Sequence, residues 1–225
     1  MISVIVPTFN AARTLASTLE CLSLHRPGLV GEIVIADGGS SDDTIAIASR
    51  FDCKIVRAGK GRGTQLRQGA LAATHEWLLF LHADTALVGD WGDAIVAFFQ
   101  RTNSHEIVGV FAFRLDDNTL SARLLERLVA LRVRLLALPY GDQGLLFSRA
   151  FYDEIGGFSD IPLMEDVDII RRIGRRRLTV LPAFAVTSAE KYRRNGYLFR
   201  SARNLFCLGL YFLGVSPARI LKLYG

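Results

Sequence analysis

Three carboxylates crowd into four residues at Glu165, Asp166 and Asp168, between the turn-like Gly156-Gly157-Phe158 and a basic segment from Arg171 to Arg177. Crowding raises a carboxyl pKa and neighbouring arginines lower it, so a base poised to take a proton can arise here. The same string also fits an acidic first helical turn with arginine partners at i+3 and i+4. A second set, His82-Ala83-Asp84-Thr85, ends the apolar run Leu78 to Leu81. In extended geometry His82 and Asp84 point to one side. Asp84 is then a candidate ligand for Mg²⁺ or Mn²⁺, hard cations that take carboxylate oxygens and complete their shells with phosphate and water. A lone Asp after a strand also serves as a helix cap.

Asp37 opens the string Asp37-Gly38-Gly39-Ser40-Ser41-Asp42-Asp43-Thr44, directly after another apolar run. Its glycines allow tight turning, and Ser41 or Asp42 can cap the next helix. A carboxylate at the carboxyl end of a strand also sits where α/β sheets bind small molecules, and it can accept from a base N–H or a ribose hydroxyl. Gly59-Lys60-Gly61-Arg62-Gly63-Thr64-Gln65 is a basic loop. In the register of a dinucleotide fingerprint Thr64 stands where the third glycine belongs, and no Walker string occurs, so neither motif is present. Diphosphate binding at the following helix N-terminus and a plain solvated loop both remain open.

Positioning these groups requires a sheet. Ile2 to Val6, closed by Pro7, then Glu32 to Ala36, Lys54 to Arg57 and Trp77 to Leu81 read as buried strands, with helices predicted at Arg13 to Leu24, Asp42 to Phe51 and Gly63 to Thr74. This alternation predicts an α/β fold with a mostly parallel central sheet and helices on both faces. Ligands in such folds gather at the carboxyl ends of the strands, here Pro7–Asn10, Asp37–Asp43 and His82–Thr85. Beyond them we predict a helix over Asp90 to Arg101, a strand over Ile107 to Phe113 and a long amphipathic helix over Leu120 to Leu138. A short strand at Gly144 to Ser148, a helix at Met164 to Arg172, a strand at Leu178 to Leu181 and a C-terminal helical region follow.

The 225 residues suit one domain with a substantial core. Cys21, Cys53 and Cys207 are widely spaced, which argues against a disulfide framework or zinc site and fits a reducing cytoplasm. Met1 to Asn10 has no basic n-region, so no export signal is expected. The apolar run Asn204 to Ser216 is shorter than a spanning helix needs. Residues 1–119 carry a net charge of −3 and residues 120–225 a net charge of +8. Those later arginines can meet phosphates or anionic headgroups, or simply reflect the preference of a chain with 4 lysines and 23 arginines. The helix over Leu198 to Leu213 can lie on a membrane surface, at the inner membrane face, or serve as a core or homodimer helix. No nucleic-acid partner is expected.

Taken together, Ile5-Val6-Pro7-Thr8-Phe9-Asn10, the Asp37 string, His82-Ala83-Asp84, Gly141-Asp142-Gln143-Gly144 with Phe147-Ser148-Arg149, and Glu165-Asp166 resemble the family 2 glycosyltransferases of the GT-A fold. The tail Tyr211 to Pro217 and the string from His82 to Thr85 are further similar to a short bacterial branch, radical-SAM/selenodomain-associated transferase 2. The resemblance implies a nucleotide-binding half over 1–119 and an acceptor-side half over 120–225, and a nucleotide diphosphate sugar as donor. It also implies donor-binding roles for Pro7, Thr8, Asn10, Asp37, Gly38, Ser40, Arg62, Gly63, His82, Ala83 and Asp84. By the same resemblance Gln143 and Gly144 would fall on the acceptor side, and Glu165 and Asp166 would be the catalytic pair, with Asp166 as base. The acceptor, a small molecule or a lipid, is left unnamed. In this family's D-x-D motif the first aspartate is His82 here, so the metal site has lost one carboxylate. A sugar-phosphate nucleotidyltransferase and a non-catalytic nucleotide or lipid-binding module are the rival readings.

Overall fold

The protein is described here from a computed structural model covering residues 1–23 and 28–224. Eight strands form one sheet: β1 (Ile2–Thr8), β2 (Val30–Asp37), β3 (Lys54–Arg57), β4 (Trp77–Phe80), β5 (Thr85–Val88), β6 (Val108–Leu115), β7 (Leu145–Ser148) and β8 (Leu178–Thr187), in the order β3-β2-β1-β4-β7-β6-β8-β5. Four of the seven pairings are parallel, so the predicted class holds while the far side is mixed. Central β1 is apolar almost throughout because helices cover both of its faces.

One face is covered by α1 (Leu15–Ser23), α2 (Thr44–Ser49) and α4 (Trp91–Phe99), whose Leu15, Leu19, Trp91 and Phe98 join the core with Ile2, Val4 and Val6. The other carries α3 (Arg62–Ala72), α6 (Arg149–Glu154) and α7 (Glu165–Ile173), through Leu66, Phe151, Tyr152, Ile169 and Ile170. Helix α5 (Leu120–Leu136) is capped by Thr119, whose Oγ1 accepts from Ala122 N, and it ends at left-handed Ala137. The chain finishes with α8 (Glu190–Asn195), α9 (Tyr197–Phe212) and α10 (Pro217–Tyr224), held to the start of α7 by Leu163, Met164, Val167, Cys207, Leu208 and Ile220.

Several predicted bounds change. The predicted end of the first helix at Leu24 lies outside the described residues. Strand β8 runs on from Leu181 to Thr187, because it lies between β6 and β5 and both supply ladder partners. Edge strand β5 and helix α6 are too short to leave a periodic signal, and neither is predicted. No described helix is long and apolar enough to cross a membrane.

Register explains how distant segments meet. Parallel pairing sets Thr8 opposite Asp37 and Ile5 opposite Phe80, so β1, β2 and β4 end at one rim. Antiparallel β7 begins at that rim, with Leu145 opposite Phe80, and thereby delivers Asp142 from the preceding turn. Antiparallel β5 sets Thr85 opposite Thr187, which brings the end of β8 and then α8 alongside Asp84.

Candidate active site

The rim carries two distinct assemblies. In the first, Asp37 is 4% exposed and its carboxylate is fully engaged. Oδ1 accepts from Thr8 Oγ1 (2.9 Å) and Ser40 Oγ (2.5 Å), and Oδ2 from the N–H groups of Gly39 (2.9 Å) and Ser40 (2.8 Å). Burial would raise its pKa, but these donors outweigh burial and hold it below the usual value. Asn10, in the left-handed region at φ 51°, accepts from Ser41 N through Oδ1 and donates its own N–H to Ser40 Oγ. Gly38 N donates to Thr8 O, and Gln65 Nε2 donates to the carbonyls of Thr8 and Ala36. Pro7, Thr8, Asn10, Asp37, Gly38 and Ser40 thus form one cross-linked turn.

The second assembly is a cavity of about 520 Å³ whose polar wall includes Arg62, His82, Asp84, Asp142, Asp166 and Lys191. The three crowded carboxylates point three ways. Asp168 takes Ser159 Oγ (2.6 Å) and Arg172 (2.7 Å), so at this position the helical ion pair is realised. Glu165 is completely buried against Arg62 (3.2 Å); burial pushes its pKa up to about 7, with Arg62 opposing, and its Oε2 has no hydrogen-bond partner among the described residues. Asp166 faces the cavity, and its Oδ2 accepts from Gly141 N at 3.0 Å. Met164, left-handed at φ 65°, sets this outward and inward divergence as α7 begins.

Two glycines are required by close approach. A Cβ on Gly63 would meet the carbonyls of Ser159 and Ile161 (2.7 Å for the latter), and Thr64 Oγ1 bonds Asp160. The first turn of α3 therefore seats directly on the segment leading into α7, which is why Arg62 reaches Glu165. A Cβ on Gly141 would lie 2.7 Å from His82 Nε2 and 3.7 Å from the Asp166 side chain. Only a bare backbone fits between them.

His82 and Asp84 share one side of the chain, as their spacing predicts, and both line the cavity, while Ala83 turns into the core. Burial pushes the His82 pKa down to about 4, helped by Arg62, so the imidazole is neutral at pH 7. Asp84 is held below the usual value: burial opposes this, but Lys191 Nζ lies 3.3 Å from Oδ2 and overcomes it. Among the described residues no three His, Cys, Asp or Glu side chains form a cation cage. Asp84 offers a single carboxylate, already facing the Lys191 ammonium, so a Mg²⁺ or Mn²⁺ ion there would need phosphate oxygens of a bound nucleotide to complete its shell.

The structure does not bring every expected residue to this cavity. Asp37 and its turn do not line it and connect to it through α3, where Gln65 grips the turn and Arg62 faces the cavity. Gln143 is buried, donates to Phe111 O (2.9 Å) and lines a second cavity of about 650 Å³ beneath α5, while Gly144 packs on Phe111. Among the charged residues of the wall, Asp142 and Lys191 were not singled out from sequence as site residues. Asp142, pushed up to about 6 by burial against the opposing effect of Arg132, lies inside a quoted string, next to Gly141. Lys191, one of only 4 lysines, stands in the charged run from Glu190 to Arg194, where nothing local sets it apart from its neighbours.

A parallel half-sheet with a ligand rim, joined through antiparallel β7 to a segment carrying an acidic pair, defines a GT-A nucleotide-diphospho-sugar transferase fold. The same fold is found in the crystal structure of residues 1–349 of S. aureus TarS (TM-score 0.64, 16% identity, covering 99% of this chain and 69% of that one). It is found again in glucosyl-3-phosphoglycerate synthase from Mycobacterium tuberculosis in complex with Mn²⁺, UDP and glucosyl-3-phosphoglycerate (TM-score 0.55, 20% identity, covering 84% and 70%). Residues 3–159 match the profile of Glycosyl transferase family 2, and the chain belongs to that family. Among curated relatives, a PGL/p-HBAD biosynthesis glycosyltransferase of Mycobacterium tuberculosis is 36% identical over 94 residues, 39% of this chain and 36% of the relative. Chondroitin synthase of Pasteurella multocida is 30% identical over 116 residues, 48% of this chain and 12% of the relative. The match thus spans little more than a third of the length of the first and about an eighth of the second.

Proposed function

We propose that this chain transfers a sugar from a nucleotide diphosphate sugar to a hydroxyl-bearing acceptor by a single displacement that inverts the anomeric centre. The observation that carries this reading is the single cavity shared by Asp166, Asp84, Arg62 and Lys191, a proton acceptor set beside charges suited to a diphosphate. The acceptor oxygen attacks the anomeric carbon and gives its proton to the Asp166 carboxylate. The bond from that carbon to the diphosphate breaks, and the diphosphate leaves with the electron pair towards Arg62 and Lys191. Glu165, neutral for part of the time near pH 7, holds Arg62 in place. Thr8, Asp37 and Ser40 shape the turn that meets the nucleoside, with Arg62 and Gly63 nearer the diphosphate. Asp84 would hold the divalent ion, which when bound neutralises charge on the leaving group.

Support for the donor class comes from the likeness to structures that carry UDP or UDP-GlcNAc. The strings from His82 to Thr85 and from Tyr211 to Pro217 support the radical-SAM/selenodomain-associated branch, and the free, widely spaced Cys21, Cys53 and Cys207 accord with a cytoplasmic enzyme that contacts the inner membrane face peripherally. The purified chain is to be incubated with a panel of nucleotide sugars and acceptors, and separately with nucleoside triphosphates and sugar 1-phosphates, while nucleoside diphosphate and pyrophosphate are assayed. Release of nucleoside diphosphate with sugar transfer is expected. Pyrophosphate release would turn the reading to a nucleotidyltransferase, and binding without any turnover to a non-catalytic module.

A further inference from the structure

The cavity that holds Asp166 has a second character. Away from the strand ends its walls are apolar, built from Leu125, Leu128, Leu135 and Leu136 of α5 and Leu205 and Leu208 of α9. Of the seventeen residues of α5 only Ala122 and Val129 are buried, whereas Leu128 and Leu135 are 54% and 55% exposed. Leucines left this open along the wall of a concavity that ends at a charged floor are matched to an apolar ligand rather than to water. The same walls carry Arg132 Nη2, Asp142 Oδ1 and Asn204 Oδ1, buried and without hydrogen-bond partners among the described residues. Such atoms are normally satisfied, and this set asks for a group that both donates and accepts. At about 520 Å³ the space is in the range of pockets that enclose a whole small ligand.

We infer that the acceptor is an amphiphile: an apolar chain lies between α5 and α9, and its hydroxyl-bearing head is held at Asp166 by Arg132, Asp142 and Asn204. The identity of the reacting group rests on the glycosyltransferase reading. The apolar chain site rests on the groove alone. Continuity between leucine wall and carboxylate floor favours this occupant over a second copy of the chain or a bilayer surface, neither of which would place a head group at the floor.

The test uses the full chain and n-alkyl β-D-glucosides from butyl to decyl, each below its micelle concentration, with binding measured calorimetrically in the presence of UDP. Affinity should rise with every methylene, by at most about fourfold for each CH₂ removed from water, until the groove is filled. Replacing two exposed leucines, Leu128→Ser with Leu135→Ser, should flatten that dependence. Leu71→Ser, at a 71% exposed site on α3 away from the groove, should leave it intact. UDP affinity and the thermal midpoint, read alongside, report that each variant is folded. No dependence on chain length, or one that survives the double substitution, would overturn the inference. So would a dimer that the double variant dissolves, or binding to phosphatidylcholine vesicles without binding of single alkyl glucosides. If nucleotide sugar is still turned over, those outcomes leave the transferase reading standing. Chain-length dependence without any sugar transfer would keep the groove and remove the enzyme.

Discussion

Around Asp37 each carboxylate oxygen accepts two hydrogen bonds, and burial is more than offset. Around Asp166, a short distance along the same rim, Asp142 and Glu165 are raised by burial and keep oxygen atoms without partners among the described residues. The first arrangement is complete within the protein itself. The second is held in an unsatisfied state by the packing of α3, α7 and the Gly141 turn, and gains most when a ligand supplies what is missing. One rim thus combines a fully satisfied turn with an unsatisfied hollow, and the two should fail differently when altered.

The widest separation is expected from Asp166→Asn. Turnover should fall by roughly two or more orders of magnitude, the usual scale for loss of a general base, while calorimetry finds UDP affinity unchanged. Equal turnover in the variant would remove Asp166 from the role. Next is Glu165. Its pKa of about 7 lies above the ordinary 4.5, so between those values the unfolded chain ionises while the fold keeps the proton. Wild-type stability relative to Glu165→Gln should therefore be greatest below pH 4.5 and fall as pH rises to 7, by up to about 3 kcal/mol in urea titrations at several pH values. A flat difference would show that this carboxyl is not buried as described.

Asp37→Asn should give the opposite pH signature. A depressed pKa stabilises the fold above the unfolded value and loses that contribution as pH falls through the folded one, so the stability deficit of the variant at pH 7 should shrink in acid, as urea titrations at several pH values would read. If UDP affinity fell while stability did not, the turn would be a ligand contact more than a scaffold. The smallest change is expected from Leu124→Lys on the open face of α5, within about 0.5 kcal/mol of wild type by thermal melting. A larger loss would mean that α5 is packed more tightly than its exposure indicates.

Much of this was legible in the residues. Continuous apolar runs closed by Pro7, Asp37 and His82 located the rim, because in a parallel sheet the chain leaves each strand at the same end. The spacing of His82 and Asp84 placed them on one side, and the Glu165-Asp166 pair was singled out by its charge density. Asp142 and Lys191 escaped because Asp142 is a lone carboxylate in its turn and Lys191 is one charge among several in the run from Glu190 to Arg194, and each is brought to the wall by an antiparallel pairing, β4 with β7 and β5 with β8. Gln143 was expected on the acceptor side, yet its side chain turns under α5, a direction that depends on where Phe111 offers its carbonyl.

Local sequence by itself determined most strands and helices, though not the short β5 and α6 or the end of β8, and the order in which the rim residues are met, since hydrophobic period and turn chemistry act over a few residues. Which carboxylate faces the cavity, which is buried on an arginine and which is tied into an ion pair was decided only by tertiary packing. Desolvation and hydrogen-bond partners come from segments up to 107 residues away along the chain, as between Asp84 and Lys191, and no local pattern encodes them.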